Sequence, residues 1–183
     1  MEKVDLSVYT PGDYKPGAGI LKRVLWFITN ALFFQCPLST LSTFKCFLLR
    51  MFGAKVGKGV VIKPSVNIKY PWKLQIGDHV WIGEKAWIDN LDEVVIGSHC
   101  CISQGAMLLC GNHNYRKKTF DLMTGRITLE DGVWIGAFSI VSPGVTCGTH
   151  SVLAVNSVAS NDLEPYYIYR GNPAIKTRER KIQ

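Results

Sequence analysis

Four histidines and six cysteines are the side chains of this sequence best suited to taking a proton, attacking a carbonyl or binding a metal. His113 ends the run Leu108-Leu109-Cys110-Gly111-Asn112-His113 and stands at the root of residues 114–128, which interrupt an otherwise regular pattern. An imidazole is well matched to accept a proton near neutral pH, and a long excursion from a compact domain is a usual seat of function. Asn90 lies in the corresponding repeat one coil earlier, on the same side, and is a candidate to share a pocket with His113. Cys110 would act as a nucleophile only with its thiol within hydrogen-bonding reach of the imidazole, which the spacing does not require. His79, His99 and His150 recur at one repeat position. Gly132 takes that position in the intervening repeat and corner side chains splay outward, so no metal site is expected there.

What positions these groups is a period of six. An apolar residue returns from Val56 to about Glu164 as Val56, Ile62, Ile68; Ile76, Ile82, Ile88; Ile96, Ile102, Leu108; Leu129, Ile135, Val141; Cys147, Leu153, Ala159. That period suits neither an amphipathic helix nor one long strand, and requires short stacked strands joined by turns. Each interruption follows the third member of a set, so three strands make a coil and all extra residues leave at one corner of a triangular prism. Three places after each lead residue stand residues tolerant of positive φ, among them Gly59, His79, His99, Gly105, Gly111, Gly132, Gly144, His150, Asn156 and Asp162. Four places after it stand small or β-branched residues, from Val60 and Val66 to Ser151 and Ser157. They suit a narrow interior whose coils stack about 4.8 Å apart. The spacing predicts an all-β solenoid, a parallel β-helix of about five triangular coils. Trp81, Trp87 and Trp134 share the outward last place of their hexads, which predicts prisms associated face to face.

The flanking segments read differently. Residues 1–55 form an N-terminal arm and helical cap, residues 56–164 the β-helix, and residues 165–183 a basic C-terminal extension in which Pro165-Tyr166-Tyr167 ends the strands. Residues 20–52 are apolar and aromatic but broken by Pro37. They predict two short helices covering the open end of the first coil, with peripheral membrane contact as the alternative for the same segment. The net charge of +7 sits in the tail, the long excursion and the N-terminal third. No nucleic-acid-binding module accompanies it, so an anionic small ligand or a membrane surface is the expected partner and nucleic acid is not. Cysteines at 36, 46, 100, 101, 110 and 147 include no C-x-x-C pair and follow no secretory pattern. Several take interior places, so reduced, buried thiols and a cytoplasmic location are expected.

The repeats, the excursion after Gly111-Asn112-His113, the segment Lys63-Pro64-Ser65-Val66 with Tyr70-Pro71-Trp72-Lys73-Leu74, and the ending Arg170-Gly171-Asn172-Pro173-Ala174 together carry a resemblance. The chain resembles the left-handed β-helix acyltransferases, most closely the colanic acid biosynthesis acetyltransferases, which are similar to galactoside and maltose O-acetyltransferases. The resemblance covers most of the chain, including Phe47-Leu48-Leu49-Arg50-Met51-Phe52-Gly53-Ala54-Lys55. It implies a left-handed coil and a homotrimer with active sites in clefts between subunits. It also implies acetyl-CoA as co-substrate, no metal, and a saccharide hydroxyl as acceptor in exopolysaccharide assembly. By the same resemblance His113 is the general base and Asn90 positions the acceptor. Trp134 and Ala137 belong to a segment offering amides to the cofactor, Ala137 to the thioester oxygen. Ser142, Val155 and Ser160 follow the pantetheine arm, and Asn161, Arg170, Lys176 and Arg178 meet the nucleotide phosphates.

One place departs from that pattern. Relatives commonly carry an acid after the loop histidine, and here the residue is Asn114, so the imidazole needs another partner, a backbone carbonyl or Glu93. Two other readings fit the repeat alone: a metal hydrolyase like the γ-class carbonic anhydrases, and a non-catalytic scaffold.

Overall fold

The hexads fold into three parallel sheets, the flanks of a triangular prism. The computed structural model describes residues 3–183; the first two residues of the N-terminal arm lie outside the described residues. The first flank stacks strands Lys55–Val56, Leu74–Ile76, Val94–Ile96, Ile127–Leu129 and Thr146–Cys147. The second stacks Val61–Ile62, Trp81–Ile82, Cys101–Ile102, Trp134–Ile135, Val152–Leu153 and Tyr167–Arg170. The third stacks Asn67–Ile68, Trp87–Asp89, Met107–Leu109, Ile140–Val141 and Val158–Ala159. Lead residues pair with lead residues throughout, as in Ile62 with Ile82, Ile82 with Ile102 and Ile102 with Ile135. The coil is left-handed, against the usual hand of parallel crossovers.

The register buries what the period marks. Every lead residue from Ile62 to Ala159 is buried, and so are the fifth-place residues Val60, Val66, Val80, Ala86, Cys100, Ala106, Val133, Ser139, Val145, Ser151 and Ser157. Among these, Ser139 and Ser157 settle their hydroxyls on main-chain oxygens of Ala154 and Val155, which lets small polar groups sit in a dry interior. Positive φ falls on the corners, at Gly59, His79, His99, Gly132 and His150 between the first and second flanks, and at Ser65, Lys85, Gly105, Phe138 and Asn156 between the second and third. Gly111 and Asp162, expected in that group, are not among the positive-φ residues. Both lie at the third corner, where the chain departs from the coil instead of turning tightly.

That third corner carries the excursions. The longest contains an antiparallel hairpin, Gly111–His113 with Leu122–Thr124, and the prism resumes at Ile127, two residues before the predicted Leu129. Parallel pairing also continues past Pro165. Leu163 bridges to Cys147, Tyr166 takes the corner with φ 61°, and Tyr167–Arg170 stacks on Val152–Leu153. A sixth, partial coil therefore exists where the strands were expected to end. Proline is harmless at Pro165 because that place in the hexad is a turn entry, as at Pro64 and Pro143. The tail then returns as an antiparallel strand, Ile175–Glu179.

Two helices close the opposite end. Helix α1, Ile20–Thr29, runs on through a π-type turn at Asn30–Phe34, and helix α2 spans Ser42–Met51. Their inner faces satisfy the exposed edge of the first coil flank by flank. Arg50 donates to Val56 and Gly57 oxygens on the first; Ser42 and the buried Lys45 amine donate to Ile62 and Lys63 oxygens on the second. On the third, Trp26 Nε1 donates to Ile68 O at 2.8 Å, and Asn30 donates to Asn67 Oδ1. Burial lowers the Lys45 amine from its ordinary pKa.

Candidate active site

At the third corner the hairpin and the N-terminal arm hold the His113 ring by three contacts. Its Nδ1 lies 3.0 Å from Phe120 O. A carbonyl only accepts, so Nδ1 carries a proton, and in the neutral ring the lone pair is on Nε2. The Phe120 ring stacks on the imidazole at 4.5 Å and 6°, while Tyr9 of the N-terminal arm packs against it at 5.9 Å. Phe120 adopts φ 50°, a left-handed conformation that phenylalanine rarely takes and that concentrates at functional sites. The partner of the imidazole is thus a backbone carbonyl. Glu93 instead pairs with Arg126 at 3.3 Å, and Asn114 accepts from Arg116 N to shape the turn.

Asn90 is not where a substrate could reach it. It is fully buried, with Oδ1 accepting from Tyr70 N at 2.9 Å and Nδ2 donating to Tyr70 O at 2.6 Å. The expected acceptor-positioning role is therefore corrected: both polar ends are spent joining two excursions. Cys110 is also buried, and burial pushes its thiol up to about 12, so it supplies no thiolate at neutral pH. His79 stacks on His99 at 5.3 Å and His150 on Tyr166 at 5.0 Å. Among the described residues no three or more His, Cys, Asp or Glu groups converge as a metal-binding set.

The second-to-third corner offers a different kind of chemistry. Glu84, Gln104, Ala137 and Val155 take the same place in successive coils, and among the described residues their amides have no hydrogen-bond acceptor. Four of the five corresponding amides at the first-to-second corner are capped: Lys58 N by Asp78, Asp78 N by Ser98, Ser98 N by Asp131 and Thr149 N by Glu130. Free donors about 4.8 Å apart form a ladder for a linear ligand with carbonyl groups. The ladder ends at Gly171, whose amide donates to Ser157 Oγ at 2.9 Å. Just there stands the C-terminal hairpin bearing Arg170, Lys176 and Arg178. Lys176 is already engaged, donating to Glu164 Oε2 at 2.6 Å with its amine 3.6 Å above the Tyr167 ring; the hydrogen bond to Glu164 raises its pKa.

Other expected residues part company. Trp134 lies on the second flank, 47% exposed, with Nε1 donating to Ser103 Oγ at 2.9 Å. Trp81 shares that flank, whereas Trp87 lies on the third. Ser142, Ser160 and Asn161 fall at the third corner, and Ser142 N is taken by Ala159 O, so they do not line the amide ladder. His113 and Ala137 stand at opposite edges of the third flank, roughly 15–20 Å apart for one hexad of extended chain.

Sequence reasoning missed the arm and the cavity under α1. The arm crosses the third corner: Asp5 N donates to Lys118 O at 3.0 Å, Tyr9 meets His113, and Trp72 Nε1 donates to Pro16 O at 2.7 Å. A cavity of about 570 Å³ lies between α1 and the third flank, lined in part by Arg23, Asn67, Lys69, Tyr70, Trp87 and Asp89. Beside Asp89 the Tyr14 hydroxyl is buried without a partner, and burial pushes its pKa upward. No periodic signal marks these residues. Only the aromatic content of the arm hinted that it was held in place.

A prism with a hairpin-borne imidazole and a ladder of free amides defines a class, and comparison of the whole chain places it: the protein belongs to the hexapeptide-repeat acetyltransferases. The Escherichia coli K12 protein named "Putative colanic acid biosynthesis acetyltransferase WcaF" is 38% identical over 176 residues, covering 96% of this chain and 97% of that one. A hexapeptide-repeat acetyltransferase of Vibrio cholerae, crystallised with acetyl coenzyme A, superposes with a TM-score of 0.81 at 22% identity, covering 96% of this chain and 97% of the other. A maltose O-acetyltransferase from Clostridium difficile 630 superposes with a TM-score of 0.76 at 18% identity, over 89% and 88% of the two chains. These two share the fold. No family model matches the chain.

Proposed function

We propose that this acetyltransferase moves the acetyl group of acetyl-CoA to a saccharide hydroxyl in exopolysaccharide assembly, with His113 as general base in a homotrimer. The observation that carries the proposal is the Nδ1 contact to Phe120 O, which in the neutral ring places the lone pair on Nε2 and holds the imidazole in one orientation. Nε2 takes the acceptor's hydroxyl proton as its oxygen attacks the thioester carbonyl carbon. The Ala137 amide donates to the oxygen as it gains charge. Collapse breaks the C–S bond, and the imidazolium returns its proton to the leaving sulfur, giving an O-acetyl ester and free CoA thiol. The amide ladder fits a pantetheine arm, and the hairpin of Arg170 and Arg178 fits the phosphates at its far end.

The homotrimer follows from the same proposal. His113 and Ala137 lie on different edges of one prism, so a reacting thioester touches both only where the second-to-third corner of a neighbouring copy comes beside the hairpin. Closed cyclic symmetry repeats that contact at each interface, and the exposed Trp81 and Trp134 on the second flank provide apolar area for it. Names of relatives support the acceptor class: one concerns colanic acid biosynthesis, another is a galactoside O-acetyltransferase. The test incubates the protein with acetyl-CoA and a panel of saccharides, following thiol release and locating the ester. Release that no saccharide increases over water, or that survives His113→Ala, refutes the proposal.

A further inference from the structure

At the end of the prism that carries α1 and α2, the outer faces of the helices are apolar as well as the inner ones. In a helix lying on a soluble core, apolar residues face inward and polar ones outward. In α1 and its π-type extension the inner stripe is Trp26, Asn30 and Phe34, all buried. The opposite stripe is wholly apolar: Leu21, Leu25, Ile28 and Leu32 are 71%, 49%, 48% and 60% exposed. In α2 the outward residues are Phe44, Phe47 and Met51, while the only cation fully buried beneath it, Lys45, points into the protein. Phe33 packs edge-on against Phe44 at 5.3 Å and Phe44 stacks on Phe47 at 6.5 Å, so the two helices present one continuous apolar surface. Leu38 and Leu41 in the connector, 87% and 69% exposed, extend it.

Charge says what that surface meets. Residues 14–77 contain ten Lys and Arg and no Asp or Glu; all fourteen acids of the chain lie outside them. Lys45 is buried and Lys69 pairs with Asp89; the other eight lie in the arm, the two helices and the first coil with its excursion, so the apolar end carries cations and no acid from the same segment. Among the described residues no helix is long and apolar enough to cross a membrane, which leaves a surface geometry instead of a span. The patch covers the end of the prism, away from the three flanks through which prisms would associate side by side.

We infer that the outer faces of α1 and α2 dock on an anionic lipid surface, burying Leu25, Ile28, Leu32, Phe44 and Phe47 at the headgroup boundary while cations of that end meet lipid phosphates. This stands apart from the proposed acetyl transfer, because docking needs neither His113 nor acetyl-CoA. The full-length protein is mixed with vesicles of phosphatidylcholine alone and of phosphatidylcholine with phosphatidylglycerol, and the bound fraction is read by sedimentation. Partition onto the anionic vesicles should exceed that onto neutral ones by about tenfold or more, and fall as salt is added. Ile28→Glu with Phe47→Glu should lower it by about tenfold or more, at an unchanged melting temperature and elution volume. Equal binding to neutral vesicles, no binding to either, or binding that survives both substitutions overturns the inference. So does a larger elution size for the native protein than for the double variant, which would mean that a second copy covers the face.

Discussion

Phe120 touches His113 twice, its ring stacked on the imidazole at 4.5 Å and its main-chain oxygen 3.0 Å from Nδ1. The hairpin thereby fixes both the tilt of the ring and, in the neutral imidazole, its tautomer. Replacing His113 by Ala should lower the rate of thiol release by at least about 10², with little change in the KM for acetyl-CoA. Phe120→Ala retains the carbonyl and loses the stack, so a smaller loss, about tenfold, is expected. Equal losses for the two variants would contradict this division.

A site shared between copies has a signature in mixtures. His113→Ala retains a working amide ladder, whereas Ala137→Arg retains the imidazole and blocks the ladder. Unfolded together and refolded, the two inactive proteins should regain up to about a quarter of native activity, since half of the histidines and half of the corners are intact and pair at random. Mixtures that stay inactive would place both groups in one chain.

Asn90 is expected to matter to stability and not to the chemical step. Asn90→Ala strips the partners from two buried groups of Tyr70, a loss of about 2 kcal/mol, or roughly 4–8 °C in melting temperature for a chain of this size. The rate per folded molecule should stay within about threefold of native. A large fall in kcat at unchanged melting temperature would restore Asn90 to the acceptor site.

The buried thiols set an alkaline limit. Burial pushes Cys110 up to about 12 and Cys100 up to about 11, from 9.0. Their stabilising effect is complete below pH 9 and is lost above it, because the unfolded chain then releases protons that the folded one retains. Denaturation under reducing conditions should show stability falling as pH rises from about 9 to 11, by at most about 1.4 kcal/mol per pH unit for each thiol. The lowered Lys45 works in the opposite direction, so the informative measurement is the difference in slope between native protein and Cys110→Ala. Identical slopes would show that this thiol titrates alike in both states.

Most of the prism could be read from the chain because each lead and fifth-place residue answers to one requirement, fitting a narrow interior. The hidden part was the sixth coil. Leu163, Tyr166 and Tyr169 keep the hexad spacing among themselves, but the step from Ala159 to Leu163 is short, and Pro165 resembles a terminator until compared with Pro64 and Pro143. At the site, the resemblance pointed to His113 and Ala137, whose roles are proposals. The burial of Asn90 was not, since it depends on how two excursions meet at Tyr70, which no period governs. The Tyr9 contact likewise joins segments about a hundred residues apart.

All long departures from the coil leave along one edge, while the unpaired amides run up another. On the proposed reading, donor handling and acceptor choice are written on separate borders of the same rod. A lineage can rewrite the segment around residues 114–126 without shifting any strand from its neighbour, so new sugars can be tried on an unaltered machine for handling the thioester.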